Sequence, residues 1–342
     1  MAPEPAETRV TRPPAGDPWE TPLRTGMSLV IRLAWGLGDV LLSTSAVRRY
    51  KELNPEVPIY YQTYKHNRTD RYRLEYEKGC PAEMLYGNPD IEAVIDWFKP
   101  HPAPALVREL RYAYFGGPSL DYPIQAHFWE NLGLDWERGQ RFDSHYYLTD
   151  SERVDASRLL PGEDGPYLIL TPHTGWPGKA WSDAGWADLV AWALTAGLRP
   201  VVLAGVPLKG RPWDSRGVLN LSGQLDIRAT AGVLDRAEHA VMTEGGLSNL
   251  RFALGRPVVF LTCATRRNLQ IWTPMELTTE IRALEDGLPA CEACMWRRDH
   301  VTNGAHDRHV PPASIKRCPP GKSLRDIPAS VVITALESET TE

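Results

Sequence analysis

Three short segments place acidic, basic or hydroxyl side chains beside glycines, the combination that lets a ligand approach the backbone closely. The first is Gly36-Leu37-Gly38-Asp39. A carboxylate there can act as a general base where its geometry and pKa suit, or it can simply cap a helix. The second runs Thr171-Pro172-His173-Thr174-Gly175-Trp176-Pro177-Gly178-Lys179-Ala180-Trp181. Backbone N–H groups, a helix start and the Lys179 ammonium together favour a phosphate, with Thr174 in the same loop. The plainer reading makes Lys179 a solvated surface lysine and His173 a loop hydrogen-bonder. The third is Glu244-Gly245-Gly246-Leu247-Ser248-Asn249. Its amides and the Ser248 hydroxyl suit a diphosphate, and Glu244 suits the hydroxyls of a sugar or ribose. Otherwise it is a glycine turn with Glu244 as a helix cap.

Two further clusters carry chemistry. Cys291-x-x-Cys294, followed by His300 and Cys318, has the thiolates and imidazole of a structural zinc site, although the later spacing fits no standard finger. Buried or incidental thiols are the alternative. Lys65, Arg68, Arg71 and Arg73 with Tyr64 and Tyr72 form a basic, aromatic patch suited to an anionic acceptor, a phosphorylated glycan or nucleic acid. Asp70, Glu75 and Glu77 nearby fit an ordinary solvated face equally well. Pro320-Gly321-Lys322-Ser323 imitates a phosphate-binding loop, but Lys316 stands where that motif needs glycine. No third glycine completes a dinucleotide fingerprint after Gly38 either.

The elements that must hold these segments alternate. Ser28–Ala34 is an apolar, β-branched run, followed by the glycine turn and a helical pattern to Leu53. Pro58–Gln62 and Ile91–Trp97 read as strands, and residues 104–115 and 124–134 as helices. A second series follows a polar joint at 150–165. It has strands at Tyr167–Thr171, Arg199–Leu203, His239–Thr243 and Pro257–Thr262, with helices to Thr195, over Ile227–Ala237 and over Leu247–Leu254. Strand, glycine loop and helix in alternation indicate α/β architecture with parallel sheets, and ligands gather at the carboxyl ends of such strands.

Composition agrees with two globular domains. The chain has 342 residues, a hydrophobic share of 42% and a net charge of −5. That charge argues against a surface coated in positive field for duplex DNA. No stretch has the ~18 uninterrupted apolar residues of a membrane span, and the opening 26 residues lack the core of a signal peptide. Five cysteines make an odd number in a long chain, which points to a reducing cytoplasm rather than a disulfide framework.

Three stretches, taken in order, resemble glycosyltransferase family 9, the heptosyltransferase-like enzymes. They are IRLAWGLGDVLLSTSAVRRYKELNPEVPI, LILTPHTGWPGKAWSDAGWADLVAWALTAGLRPVVLAG and LNLSGQLDIRATAGVLDRAEHAVMTEGGLSNLRFALGRPVVFL. The resemblance implies a GT-B architecture, with two Rossmann-like parallel-sheet domains facing across a cleft. It implies an inverting transfer from a nucleoside-diphosphate sugar to an acceptor hydroxyl, usually without a catalytic metal. Asp39 stands where the family has its general base, and Lys179 where it has a lysine near the donor phosphates. Thr174 and residues Glu244, Gly245, Gly246, Leu247, Ser248 and Asn249 fall in the donor segments, and Gly38, Arg68 and Arg71 on the acceptor side. Glu244 and Asn249 depart from the family's aspartate and histidine, which alters the sugar and phosphate contacts.

The expected division is a flexible arm at 1–26, an acceptor domain at 27–150 and a linker at 151–165. A nucleotide-sugar domain with the Cys/His tail spans 166–330, and a terminal tail 331–342. The expected acceptor is a cell-surface, lipopolysaccharide-like glycan. Transfer to modified DNA bases and nucleotide-sugar epimerisation are the alternatives. The expected location is the cytoplasm, including the inner membrane face as a peripheral station.

Overall fold

A computed structural model describes residues 26–33, 36–65, 80–111, 123–161, 165–174, 179–262, 272, 274–282 and 324–339. The basic residues Arg68 and Arg71 and the cysteine cluster Cys291, Cys294, His300 and Cys318 lie outside the described residues, as do most of the N-terminal arm and Gly175–Gly178. Among the described residues, no group of three or more His, Cys, Asp or Glu is placed to hold a metal. No described helix is long and apolar enough to cross a membrane.

The chain forms two parallel sheets. The first contains β1 (Ser28–Arg32), β2 (Ile59–Thr63), β3 (Ala93–Asp96) and β4 (Ala105–Glu109), in the spatial order β3-β2-β1-β4. Helices α1 (Leu37–Leu42) and α2 (Thr44–Leu53) connect β1 to β2, and α3 (Ile124–Asn131) follows β4. The helix α4 (Asp150–Leu159) leads to the second sheet. There β5 (Tyr167–Thr171), β6 (Arg199–Val202), β7 (Leu219–Asn220), β8 (His239–Thr243), β9 (Val258–Thr262) and β10 (Thr278–Arg282) lie in the order β10-β9-β8-β5-β6-β7. Three helices, α5 (Asp183–Thr195), α6 (Ile227–Arg236) and α7 (Gly246–Ala253), connect its strands, and α8 (Ala329–Glu339) packs on α5, β9 and β10.

Strand order decides where a ligand can sit. The first sheet starts at β1, runs outward to β2 and β3, and returns on the other side as β4. The second starts at β5, runs outward to β7, and returns beside β5 as β8. The order of strand addition therefore reverses at β1/β4 and at β5/β8, and such switch points open a crevice beyond the strand carboxyl ends. The three glycine-bearing segments leave β1, β5 and β8.

The two-residue period of the strands divides the core. Tyr167 and Ile169 of β5 join a cluster that includes Leu29, Ile31, Val40 and Ile59 of the first sheet's packing. Leu168 and Leu170 turn to the opposite face, against Trp186, Val190 and Val332. One apolar cluster thus crosses the domain boundary and holds the two sheets to each other.

Three elements differ from the sequence expectation. The segment expected to be helical at 104–115 contains the edge strand β4, because β1 needs a second ladder and Leu106, Val107 and Arg108 pair with Leu29, Val30 and Ile31. The joint expected at 151–165 begins as α4. Thr149 caps it, accepting from the Glu152 amide, while the Glu152 carboxylate accepts from the Thr149 amide at 2.7 Å. The expected tail at 331–342 continues α8, which buries Val332 and Leu336 one turn apart.

Candidate active site

The turn after β1 is built by its own acid. Asp39 Oδ2 accepts the Gly36 N–H at 3.1 Å and so caps α1. A carboxylate has about four lone-pair sites, so the cap leaves acceptor capacity for proton transfer. Beneath the turn, Ser43 ends α1 by returning its hydroxyl to the Val40 carbonyl at 2.7 Å. The same oxygen lies 2.6 Å from the Tyr61 hydroxyl. Burial raises the Tyr61 pKa far above its usual value, and the nearby Asp39 charge adds to the effect although the Ser43 bond opposes it. Tyr61 therefore stays a neutral, fixed support below Asp39.

The turn after β8 faces this one. A Cβ placed on Gly38 would lie 3.1 Å from Asn249 Nδ2 and 3.6 Å from Gly246 Cα. The missing side chain lets α1 and α7 approach closely from different domains, and a Cβ here would press on the Asn249 amide. By contrast, a Cβ on Gly245 would meet nothing within 4 Å, so that backbone borders open space. Ser248 is fully buried, accepts the Gly245 N–H at 3.1 Å and donates to the Gly245 carbonyl at 2.9 Å. Its hydroxyl shapes the turn and has spent its one donor there. Leu247 is half-buried at the start of α7, and Asn249 is buried against Gly38.

The loops after β5 and β8 meet because those strands are neighbours. The Thr243 hydroxyl donates to the Thr171 carbonyl at 3.0 Å and ties the two strand ends together. Beyond them, Lys179 Nζ lies 2.6 Å from Glu244 Oε1. Glu244 is 3% exposed and Lys179 14%, so the pair is largely buried rather than on the surface. Two residues on, the buried Trp181 anchors the segment: its indole N–H donates to the Ile327 carbonyl at 2.9 Å and its ring packs edge-on against Trp186. Ser182 then caps α5 by accepting the Gly185 N–H. Thr174 is half-buried at the edge of this loop and His173 is exposed.

The structure thus brings the turn of Gly38 and Asp39 against Gly246 and Asn249 of the other domain, with Lys179 paired to Glu244 next to Gly245. Sequence reasoning missed Tyr61 and Ser43. The signal for Tyr61 was its alternation with Ile59 on the buried face of β2, which marks a core position rather than a site.

No family model matches the chain, and no curated protein matches it in sequence. Solved structures do match in fold. The glycosyl transferase family 9 protein of Veillonella parvula superimposes with a TM-score of 0.63 at 14% identity, covering 92% of this chain and 97% of that one. E. coli heptosyltransferase WaaC with ADP gives 0.57 at 16% identity over 91% of this chain and 99% of its own. E. coli ADP-heptose lipopolysaccharide heptosyltransferase II gives 0.56 at 14% identity, covering 76% and 91%. The two parallel sheets and these superpositions show that the chain shares the GT-B fold of these glycosyltransferase structures.

Proposed function

We propose that this protein is an inverting glycosyltransferase that moves a sugar from a nucleoside-diphosphate donor to a hydroxyl of a cell-surface glycan. The observation that carries the reading is the meeting of the Asp39 turn and the Gly245–Asn249 turn at Gly38, with Lys179 ion-paired to Glu244 at the start of the second turn. Asp39 takes the proton of the acceptor hydroxyl. The acceptor oxygen forms its bond to the anomeric carbon from the face opposite the leaving group. The bond from that carbon to the diphosphate oxygen breaks, and the diphosphate departs with the electron pair. Lys179 and the amides of Gly246 and Leu247 stabilise the charge that develops on it. Glu244 orients Lys179 and accepts from donor hydroxyls, while Gly38 keeps the base within reach of the donor carbon. Neighbouring structures include a heptosyltransferase with ADP and one with an ADP-heptose analogue, which supports an adenine nucleotide as the first donor class to test. Transfer to modified DNA bases rests on Arg68 and Arg71, outside the described residues, and no described contact favours it.

The test is release of nucleoside diphosphate from ADP-, UDP- and GDP-sugars in the presence of lipid-free inner-core oligosaccharide. Asp39→Asn keeps an oxygen that can accept the Gly36 N–H, so the fold and nucleotide affinity should persist. Turnover should fall by at least ~100-fold, the usual contribution of a positioned base. Full turnover by Asp39→Asn removes the base assignment. Failure of the wild-type protein to bind any of these donors removes the transferase reading.

A further inference from the structure

We infer that a folded aromatic wall of Tyr64, Trp97 and Phe98, beside the cation of Arg32, is a subsite for an anionic saccharide ring on the acceptor side of the cleft. The inference rests on the transferase reading only in calling the bound saccharide an acceptor. These residues lie at the carboxyl ends of three adjacent strands: Arg32 ends β1, Tyr64 follows β2, and Trp97 follows β3. The Asp39 turn leaves the same edge. Two inter-strand spacings, about 10 Å, separate the ends of β1 and β3.

The wall is rigidly held. Gln62, 3% exposed, directs Nε2 at the carbonyls of Asp96, Trp97 and Lys99, at 3.3, 3.1 and 2.8 Å. The Asp96 carboxylate accepts the Phe98 N–H at 3.1 Å and the Lys65 N–H at 3.3 Å, which joins the β2 and β3 loops. The Tyr64 ring stands 5.7 Å from Trp97 and 6.0 Å from Phe98, tilted by 46° and 40°. Despite this bracing, Phe98 remains 60% exposed. The three rings form one contiguous aromatic face with Phe98 at its exposed end, and a contiguous apolar patch of this kind marks a contact site.

Charge and shape select the occupant. The Arg32 guanidinium stacks over Trp97 at 4.2 Å. Its buried Nε has no hydrogen-bond partner among the described residues. Lys65 and Lys99 adjoin the wall in the chain, while the carboxylate of Asp96 is taken up by the amides of Lys65 and Phe98. A ligand carrying phosphate or carboxylate completes this arrangement. The rings are inclined to one another, so they offer a stepped surface for the C–H face of a sugar rather than the parallel slot a stacked base requires.

Full-length wild type, Phe98→Ala, Phe98→Trp and Arg32→Gln should be titrated by calorimetry with three probes. These are phosphorylated lipid-free inner-core oligosaccharide, the same oligosaccharide after dephosphorylation, and single-stranded DNA containing 5-hydroxymethylcytosine. Phe98→Ala should weaken the phosphorylated probe roughly five- to tenfold, and Phe98→Trp should restore it. Arg32→Gln should weaken the phosphorylated probe about tenfold and leave the dephosphorylated one unchanged. ADP affinity and melting temperature should not change in the Phe98 variants. Equal oligosaccharide affinity for wild type and Phe98→Ala overturns the subsite, as does binding of neither saccharide probe. Phe98-dependent binding of the DNA alone overturns the saccharide assignment. Oligosaccharide binding by a protein that binds no nucleotide sugar would instead overturn the transferase reading and leave the subsite standing.

Discussion

The Lys179 ammonium and the Glu244 carboxylate lie 2.6 Å apart although 65 residues separate them in the chain. Glu244 directly follows β8, Lys179 lies in the connection from β5 to α5, and β5 and β8 are hydrogen-bonded neighbours. The pair links the two loops that border the proposed diphosphate site. It also fixes the Lys179 ammonium in one place before any anion arrives, which lowers the entropic cost of using it.

Removing Lys179 leaves a carboxylate that is 3% exposed without its ammonium. Lys179→Met is expected to destabilise the protein by about 2–4 kcal/mol, less than a fully buried pair because the lysine is partly accessible. It should also weaken donor binding. Glu244→Gln added to Lys179→Met should recover much of the stability and none of the donor affinity. Urea denaturation and nucleotide calorimetry on the single and double variants separate these effects. Equal stability of wild type and Lys179→Met would show that the pair contributes nothing to the fold.

Gly38 and Gly245 should respond in opposite ways. Gly38→Val drives a branched side chain toward Asn249 and Gly246 of the other domain. Turnover should fall by on the order of ten- to a hundredfold through displacement of Asp39 from the donor. At Gly245 the backbone is extended and the space around it open, so Gly245→Ala should leave stability within ~0.5 kcal/mol. Its methyl group then stands where a ligand would approach, and the loss should appear in donor affinity. Thermal unfolding and initial rates on both variants distinguish a misaligned cleft from an obstructed one.

How much of this was readable beforehand follows from which interactions are local. β5, β8 and β9 are buried on both faces, so each reads as an unbroken apolar run bounded by breakers. The edge strand β4 carries Arg108 and Glu109 and is mostly half-buried, so its apolar spacing resembles a helix until β1 is placed beside it. The cap of α4 was present as Thr149-x-x-Glu152, but the polarity of the segment obscured it. Asp39, Lys179 and Glu244 were recognisable as chemistry-bearing residues one by one. Their pairing was not, because it depends on β8 returning beside β5, and strand order is a non-local property.

Arg228 of α6 reaches across the boundary between the domains. Its guanidinium donates to both oxygens of Glu152, at 2.5 and 2.6 Å, and to the Tyr147 carbonyl at 2.8 Å. It also meets the carbonyls of Glu83 and Tyr86 and lies 4.8 Å from the Tyr146 ring centroid. Burial works against the Glu152 charge, but the bonds from Arg228 and Thr149 outweigh it and hold the carboxyl below its usual pKa. A lysine has no planar fork with which to reproduce this set. Arg228→Lys should therefore destabilise by about 2–3 kcal/mol, and Arg228→Met by about 3–5 kcal/mol. Calorimetric scans should show the wild-type transition broadening or splitting in Arg228→Met as the domains uncouple. A single, unshifted transition would mean that the apolar cluster alone holds them together.

His145 supplies the pH dependence. It lies on the crossing segment between the domains, where its amide donates to the Thr44 hydroxyl at 2.8 Å. Burial lowers the imidazole pKa, and the charge of Arg48 lowers it further, while Asp143, Asp90 and Glu52 push the other way. The folded pKa is thus below the unfolded value of ~6.5. Above that value both states hold a neutral imidazole, and the group does not change stability with pH. As pH falls through ~6.5 toward the folded pKa, the unfolded chain takes up the proton first, so stability declines. His145→Gln has nothing to protonate and should lose less stability over the same interval. Urea midpoints at pH 7.5 and pH 5.5 for the two proteins test this directly. The expected result is a larger drop for wild type, and equal drops would assign the acid sensitivity to other groups.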